Sequence, residues 1–259
     1  MRPATREAAC AFWTRAPGAR PRIVGHRGSK GGAPENTIGA FARGVELGAT
    51  AIELDVRTCA SGELVVAHDP TMDRLTEGRD ARRVAELPWT ELSRVRLGGG
   101  ERVPRLRDVL ALLGPRGIGV NVEMKHDVPD REAVVRATAA ELYVRGAGSP
   151  VIVSSFDPRM LGALARVAPE VPRALLVHRS KYHPLMLALA GPVTRARWSS
   201  IAVDAVHLDR RLATPRAIRA LRERGLRTSV WTVNDRAEAE QLAALEVDSL
   251  ITDVPGDLT

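Results

Sequence analysis

Charged and titratable side chains gather around a short apolar run near the start of the chain. In the stretch RIVGHRGSKGGAPENT, the run Ile23-Val24-Gly25 ends abruptly in His26 and Arg27. A histidine can give or take a proton near neutral pH, and an arginine presents a fork of donors that matches phosphate oxygens. A strand that stops at such a pair is typical of one that delivers functional groups to an open edge.

Two more segments carry acids and cations at a spacing of two, and a third ends in a histidine. Glu53 and Asp55 lie two positions apart in TAIELDV, so in a strand their side chains point to the same face. Glu123 and Lys125 share that spacing in VEMK, and His68 ends ELVVAH. Taken singly, each has a structural explanation, such as a hydrogen-bonded histidine or a salt-bridged pair. Their conjunction favours a functional site.

The residue types in this set predict cleavage of a phosphate ester. Three converging carboxylates repel one another unless a cation lies between them, and all-oxygen ligands suit one hard divalent ion, Mg²⁺, Ca²⁺ or Mn²⁺. His26 and His68 can serve as acid and base, while Arg27 and Lys125 can bind phosphate. A phosphodiester fits best, because its leaving alkoxide needs a proton from a general acid.

Strand-like and helix-like segments alternate along the chain and would position these residues. With an arm at 63–68 set aside, eight core strands are predicted, at 21–25, 50–56, 118–124, 150–155, 173–177, 200–206, 228–233 and 249–252. Helices are predicted near 37–47, 88–96, 106–113, 130–145, 157–167, 184–198, 214–225 and 235–245. This α/β pattern indicates a (β/α)8 TIM barrel with a small hairpin or cap insertion after the second strand. An open doubly wound sheet is the alternative, because periodicity does not reveal closure.

Composition limits the domain organisation and the partners. We expect a poorly ordered N-terminal extension at 1–20 and one barrel domain at 21–259, in the cytoplasm, because no segment approaches a membrane span. The formal charge is +7, yet only three of the 38 basic residues are lysines, Lys30, Lys125 and Lys181, and the arginines are interleaved with acids. Aromatic residues make up 3% of the chain, too few for base-stacking platforms. An anionic small molecule is therefore a better expected partner than nucleic acid.

The stretches GHRGSKGGAPENT, AIELDVRT and ELVVAHDPTMDRLTEG resemble the glycerophosphodiester phosphodiesterases. VPRLRDVL, NVEMK, VIVSSF, VWTVN and VDSLITDVP continue the likeness in order, so that it spans residues 21 to 256. The resemblance implies a metal-dependent TIM-barrel enzyme that hydrolyses glycerophosphodiesters, such as glycerophosphocholine or glycerophosphoethanolamine, to glycerol 3-phosphate and an alcohol.

The resemblance also implies roles for individual residues. It makes His26 and His68 the acid–base pair and Glu53, Asp55 and Glu123 the ligands of one divalent metal ion. Binding of substrate and phosphate is implied for a larger set, namely Arg27, Lys125, Glu35, Asn36 and Trp231. Gly28, Gly31 and Gly32 would let the backbone approach a phosphate closely. The other histidines, His126, His178, His183 and His207, are expected to be structural or exposed.

Several alternatives stay open at this point. The glycerol 2-hydroxyl could attack phosphorus to give a cyclic phosphate, or a metal-activated water could attack directly. The same site could act on lysophospholipids as a lysophospholipase D, which would need an apolar groove or a membrane-binding face beside the site. No long amphipathic stretch supplies one, although HPLMLALAGP at 183–192 is apolar enough to keep this alternative open. A non-catalytic barrel that binds phosphorylated ligands is disfavoured, because both histidines and all three carboxylates are present.

Overall fold

Eight parallel strands form a closed barrel in a computed structural model, which describes residues 5–31, 33–145, 150–178 and 203–259. The barrel strands are β1 Arg22–His26, β2 Ala51–Thr58, β4 Gly119–Met124, β5 Val151–Ser155, β6 Arg173–Val177, β7 Ala205–Asp209, β8 Arg227–Trp231 and β9 Ser249–Thr252. A short strand, β3 Leu64–Val66, runs antiparallel to β2 as the predicted arm. The helix predicted at 184–198 lies outside the described residues.

The pairing of the first strand closes the barrel. β1 pairs in parallel with β9, where Gly25 lies opposite Thr252, and also with β2, where His26 lies opposite Glu53. A sheet whose first strand has neighbours on both sides, with the remaining strands paired in series, has no open edge in this ring. The predicted (β/α)8 TIM barrel is therefore confirmed over an open doubly wound sheet.

Helices follow most of the strands, cover the outside of the barrel and bury the apolar outward faces of the strands, while the first described helix packs against residues of the barrel interior and the short helix at 89–92 lies in the insertion after β3. They are α1 Arg6–Phe12, α2 Ile38–Glu46, α3 Trp89–Leu92, α4 Leu106–Leu113, α5 Arg131–Arg145, α6 Pro158–Val167, α7 Pro215–Arg222, α8 Arg236–Ala244 and α9 Pro255–Leu258. Hydroxyl or carboxyl caps accept backbone N–H bonds at the starts of α2, α6, α7 and α8. None of the described helices is both long enough and apolar enough to span a bilayer.

The N-terminal segment differs from the expectation of a poorly ordered extension at 1–20. Arg6–Phe12 form α1, and Trp13 behind it is buried, with Phe12 partly buried beside it, against residues that face the barrel interior. Several small residues lie next to these aromatic side chains: Ala51, Ala174 and Ala205 belong to the same buried cluster as Trp13, and Gly119 lies against Phe12. A Cβ on Gly119 would run into the Phe12 ring, so the two aromatic side chains fill space that larger strand residues would occupy elsewhere.

Two sequence-based boundaries also change. The strand predicted at 200–206 is observed at Ala205–Asp209, which moves His207 into the barrel interior. Asp204 lies before the strand because its carboxylate accepts hydrogen bonds from the Arg6 side chain and the Arg173 backbone. The helix predicted at 88–96 is limited to Trp89–Leu92.

The insertion after β3 has a hydrophobic cluster of its own. It packs apolar side chains from the arm and from the segment before α4, including Met72, Leu75, Leu92, Val95 and Val103. This cluster makes the insertion a small folded cap, as predicted, and it carries the chain from His68 past the barrel mouth before α4 begins.

Candidate active site

The C-terminal ends of four neighbouring strand segments bring the candidate residues to one cavity. His26 ends β1, Glu53 lies within β2, Glu123 lies within β4, and His68 follows the β3 arm. The cavity has a volume of about 150 Å³. Its lining consists of His26, Arg27, Glu53, His68, Asn121, Glu123, Lys125, Phe156, Leu176, Trp231 and Ile251. We call it the inner cavity.

Three buried carboxylates form an acidic cluster beside the inner cavity. One carboxylate oxygen from each of Glu53, Asp55 and Glu123 lies within 4.8 Å of the others. Burial, reinforced by the charge of Asp55, raises the pKa of Glu53 to about 8, and burial also raises the pKa of Glu123. Burial would likewise raise the pKa of Asp55, but the positive charges of Lys125 and Arg27 hold it well below its usual range. Two of the three groups are therefore poorly stabilised as anions by the protein alone.

The Arg27 side chain lies against the acidic cluster, and its backbone has a strained conformation. Its φ of 53° lies in the left-handed region that non-glycine residues seldom adopt. The turn aims its backbone N–H at Glu53 Oε2, at 3.0 Å, and its guanidinium at Glu35 Oε1, at 2.8 Å, and Asp55 Oδ2, at 3.3 Å. Gly28 follows with φ of 101°, where a Cβ would collide with the backbone of Ala40. The local sequence thus holds a cation against the carboxylates.

Lys125 and Asn36 hold the other side of the cluster. The Lys125 ammonium donates to Glu123 Oε1 at 2.8 Å and lies 3.2 Å from Asp55 Oδ1. Burial opposes its charge, yet these two carboxylates raise the pKa of Lys125 above its ordinary value. Buried Asn36 donates its amide N–H to Asp55 Oδ2 at 2.9 Å. Asp55 is therefore fixed from three directions, by Arg27, Lys125 and Asn36.

His26 is held by a carboxylate from the last strand segment. Its Nδ1 lies 2.7 Å from Asp253 Oδ1, and its Nε2 lies 3.9 Å from Glu53 Oε2. Asn234 donates its amide N–H to the other oxygen of Asp253 at 2.8 Å. Burial disfavours the imidazolium, but the bond to Asp253 and the charge of Glu53 outweigh it, so the pKa of His26 lies above its ordinary value.

His68 has a similar arrangement with a different neighbour. Its Nδ1 lies 2.6 Å from Asp69 Oδ1, and Arg74 donates to Asp69 Oδ2 at 2.7 Å. Arg74 also donates to Glu35 at 2.7 Å, so the cap insertion is tied to the residues around Arg27. Both histidines are thus oriented through Nδ1 by an aspartate, which leaves Nε2 as the nitrogen available to a ligand.

Aromatic side chains form the wall opposite the acidic cluster. Trp231 at the end of β8 donates its indole N–H to the His207 backbone carbonyl at 3.0 Å. Its ring meets Phe156 edge to face at 5.7 Å and stacks on His178 at 5.9 Å. The inner cavity is therefore charged on one side and apolar on the other, a contrast suited to a small molecule with one anionic end.

The structure brings all ten predicted site residues into one region. Seven line the inner cavity; of the other three, Glu35 binds Arg27, Asp55 pairs with Lys125, and Asn36 binds Asp55. Three polar neighbours were not singled out from the sequence: Asp253 in VDSLITDVP, Asp69 directly after His68, and Asn121 two residues before Glu123. The aspartates each follow the end of a strand-like run, a signal that could have identified them. Phe156, at the end of VIVSSF, had the same signal.

Of the other histidines, His207 is buried in the barrel and His178 lies at the mouth, with Nε2 3.4 Å from Asp209. His183, Gly32 and the apolar segment at 183–192 lie outside the described residues.

Comparison with known proteins gives one family over nearly the whole chain. Residues 26–257 match the model of the glycerophosphoryl diester phosphodiesterase family. A glycerophosphodiester phosphodiesterase of Caldanaerobacter subterraneus subsp. tengcongensis is 30% identical over 243 residues, which cover 91% of this chain and 95% of that protein.

Solved structures have the same fold. A protein of Silicibacter pomeroyi DSS-3 superposes with a TM-score of 0.83 at 26% identity, covering 98% of this chain and 96% of its own. A phosphodiesterase of Oleispira antarctica, solved in complex with its product sn-glycerol-3-phosphate, superposes with a TM-score of 0.80 at 22% identity, covering 92% and 95%. At that identity the second likeness supports the fold alone.

Proposed function

This chain belongs to the glycerophosphoryl diester phosphodiesterase family, and we propose that it hydrolyses glycerophosphodiesters to sn-glycerol 3-phosphate and a free alcohol. The predicted enzyme class, a phosphoric diester hydrolase, is confirmed by this membership. Glycerophosphocholine and glycerophosphoethanolamine are the proposed substrates. The proposal depends most on one observation: two aspartate-held histidines, two cations and two carboxylates line a single cavity of about 150 Å³, and a third carboxylate, Asp55, lies directly beside those two.

A divalent cation fits the acidic cluster. Glu53 and Glu123 are buried acids whose pKa values are raised, so a further positive charge is needed to ionise both near neutral pH. Their oxygens, with those of Asp55, form an all-oxygen donor set that suits Mg²⁺, Ca²⁺ or Mn²⁺. We propose that these three residues hold the ion. When bound, it would stabilise negative charge on the phosphate oxygens.

His26 and His68 are proposed to move the two protons of the reaction. One takes the proton of the attacking oxygen, which comes from water or from the glycerol 2-hydroxyl. The other donates a proton to the leaving alkoxide as its bond to phosphorus breaks, so that a neutral alcohol departs. Asp253 and Asp69 fix the tautomers by accepting the Nδ1–H of each ring. Both imidazoles then work through Nε2.

Binding is proposed to divide between the two sides of the inner cavity. Arg27 and Lys125 are positioned to bind phosphate oxygens, with Glu35 and Asn36 bracing them through Arg27 and Asp55. Trp231 offers an apolar wall to the carbon atoms of the glycerol. The arrangement favours a compact substrate.

A lysophospholipid receives less support from the described residues. Their exposed large hydrophobic side chains are Tyr143, Val144 and Val167, near the C-terminal ends of α5 and α6, which lead to the starts of the following strands. That end of the barrel lies opposite the mouth. We therefore propose a water-soluble diester as the substrate; the cytoplasmic location stays a prediction.

The test is the identity of the products and their dependence on metal. Protein stripped with EDTA is incubated with glycerophosphocholine, without metal and then with Mg²⁺, Ca²⁺ or Mn²⁺ restored. We expect glycerol 3-phosphate and choline in equal amounts, released only with metal, and no release by Glu53→Gln. Glu223→Gln, which removes an exposed carboxylate next to the start of β8, is the matched control and should retain activity.

Release of phosphocholine instead would contradict the proposed bond cleavage. A faster reaction with lysophosphatidylcholine would favour the lysophospholipase D alternative. Absence of any product from folded, metal-loaded protein would contradict the proposed function.

A further inference from the structure

A second cavity adjoins the inner cavity on the far side of His26 and Arg27. It has a volume of about 270 Å³, and its lining consists of His26, Arg27, Ser29, Lys30, Gly31, Ala33, Glu35 and Asp253. We call it the outer cavity. Because both cavities include His26 and Arg27, a phosphodiester bound at Arg27 can extend one ester arm into each.

The two carboxylates of the outer cavity are already engaged by the protein. Glu35 Oε1 accepts hydrogen bonds from both Arg27 and Arg74, at 2.8 and 2.7 Å. Asp253 binds His26 through one oxygen and accepts from Asn234 through the other. Each carboxylate therefore faces a cationic or protonatable partner within the protein, Glu35 two guanidinium groups and Asp253 the His26 ring.

Two side chains of the outer cavity have hydrogen-bond donors that the described residues do not engage. Ser29 is 3% exposed, and its buried hydroxyl has no hydrogen-bond partner. Lys30 is exposed, and among the described residues its ammonium makes no ion pair or hydrogen bond. The Lys30 backbone N–H is bound to the Asp253 carbonyl at 2.7 Å, which fixes the residue at this rim. A buried hydroxyl without a partner is costly, so a ligand that accepts from Ser29 gains affinity.

We propose that the outer cavity is a subsite for an anionic group, such as a carboxylate, carried by the alcohol that leaves. Lys30 supplies the charge, and Ser29 supplies the buried donor. The inference rests on the proposed function and adds a preference, among the diesters hydrolysed, for those whose leaving alcohol carries an anionic group. It names two specificity-determining residues, neither of which is needed for the chemical step.

The inner cavity suits the glycerol better than it suits a charged alcohol. Leu176, Ile251 and Phe156 contribute apolar surface to it, and its volume is the smaller of the two. The variable and charged arm of the diester is therefore assigned to the outer cavity.

Glycerophosphoserine and glycerophosphoethanolamine are the matched probes, because they differ by one carboxylate. We expect kcat/KM of the wild-type enzyme to be higher for the serine diester. Lys30→Gln should lower the serine-to-ethanolamine ratio by about fivefold, the effect expected for one partly exposed ion pair. Lys30→Glu should lower it further, and Ser29→Ala should lower it without a change in charge. Lys30→Arg should preserve the ratio, as should Arg116→Gln, which removes a positive charge just before β4 on the opposite face.

A ratio that stays at the wild-type value in both Lys30→Gln and Ser29→Ala overturns the subsite, even while both diesters are hydrolysed. A wild-type enzyme that prefers the ethanolamine diester overturns it as well. If neither diester is hydrolysed by folded, metal-loaded protein, the proposed function itself fails. These results are distinguishable because the ratio is defined only where hydrolysis occurs.

Discussion

His26 Nδ1 lies 2.7 Å from Asp253 Oδ1, so the first strand of the barrel and the segment after the last strand meet at the candidate catalytic histidine. β1 and β9 are neighbours in the sheet, with Gly25 opposite Thr252. The bond therefore depends on barrel closure, since the two residues are 227 positions apart in sequence. Asp253 can therefore orient His26 only when β1 and β9 have paired.

Replacing Asp253 tests whether that contact matters for catalysis. Asp253 holds the Nδ1 tautomer of His26 and raises the pKa of His26, so Asp253→Asn removes a charge while keeping a hydrogen-bonding side chain. We expect kcat to fall by about 100-fold. The limb of the pH–rate profile that His26 governs should move to lower pH, because the imidazolium loses its anionic partner. The measurement is kcat across pH with glycerophosphocholine.

Asp69→Asn is the comparison variant at the other histidine. It should lower kcat without shifting the limb that His26 governs. An Asp253→Asn enzyme with the wild-type profile would show that the contact is structural only.

The raised pKa of Glu53 predicts an unusual pH dependence of the free energy of unfolding in the metal-free protein. Its pKa is about 8 in the folded state and near 4.5 when unfolded, so between these values the folded protein holds a proton that the unfolded chain has lost. Stability contributed by this group is therefore present at low pH and lost as pH rises toward 8. Glu53→Gln removes that loss, and at pH 8 it should unfold with a free energy higher by a few kcal/mol.

Denaturant unfolding with and without metal checks this prediction. Saturating Mg²⁺ should stabilise wild-type protein by mass action and stabilise Glu53→Gln much less. A metal-free Glu53→Gln protein that is less stable than wild type at pH 8 would contradict the role given to carboxylate repulsion.

The N-terminal aromatic residues should contribute to stability rather than to catalysis. Trp13 is 4% exposed in a buried cluster that includes Ala51, Ala174 and Ala205, and these short side chains cannot fill the space that an indole leaves. Trp13→Ala should therefore lower the free energy of unfolding by about 3 kcal/mol, with kcat unchanged at a temperature where the variant is folded. Tyr143→Ala, at a side chain that is 78% exposed, is the control and should change stability by less than about 0.5 kcal/mol.

The lowered pKa of buried His207 predicts that the folded barrel loses stability at acid pH. Burial lowers the pKa of His207 to about 3, so the folded state keeps it neutral while the unfolded chain is protonated below about pH 6.5. The stability that neutral His207 contributes is present above pH 6.5 and is lost as pH falls toward 3. The loss between pH 6.5 and pH 5 should be about 2 kcal/mol. His207→Gln should flatten the fall in stability between pH 6.5 and 5. An equally steep fall in that variant would assign acid sensitivity to other groups.

Strand periodicity predicted the barrel, and seven of the ten site residues could be predicted because they stand in or near the end of an apolar run. Glu35, Asn36 and Trp231 were predicted only from the resemblance to the family. Contacts between distant residues were not predictable in this way. Asp253 becomes a partner of His26 only once β9 meets β1, and Phe12 and Trp13 become core residues only because interior positions such as Gly119 are small. A sequence pattern reports the face of a strand but not what lies across the barrel.

The most direct measurement compares glycerol 3-phosphate release from glycerophosphocholine by wild-type protein, His26→Ala and His68→Ala, each folded and supplied with Mg²⁺. The proposed site predicts release by the wild type and a loss of at least about 100-fold in each variant, with melting temperatures close to that of the wild type. Wild-type rates in either histidine variant would contradict the assignment of that residue to proton transfer.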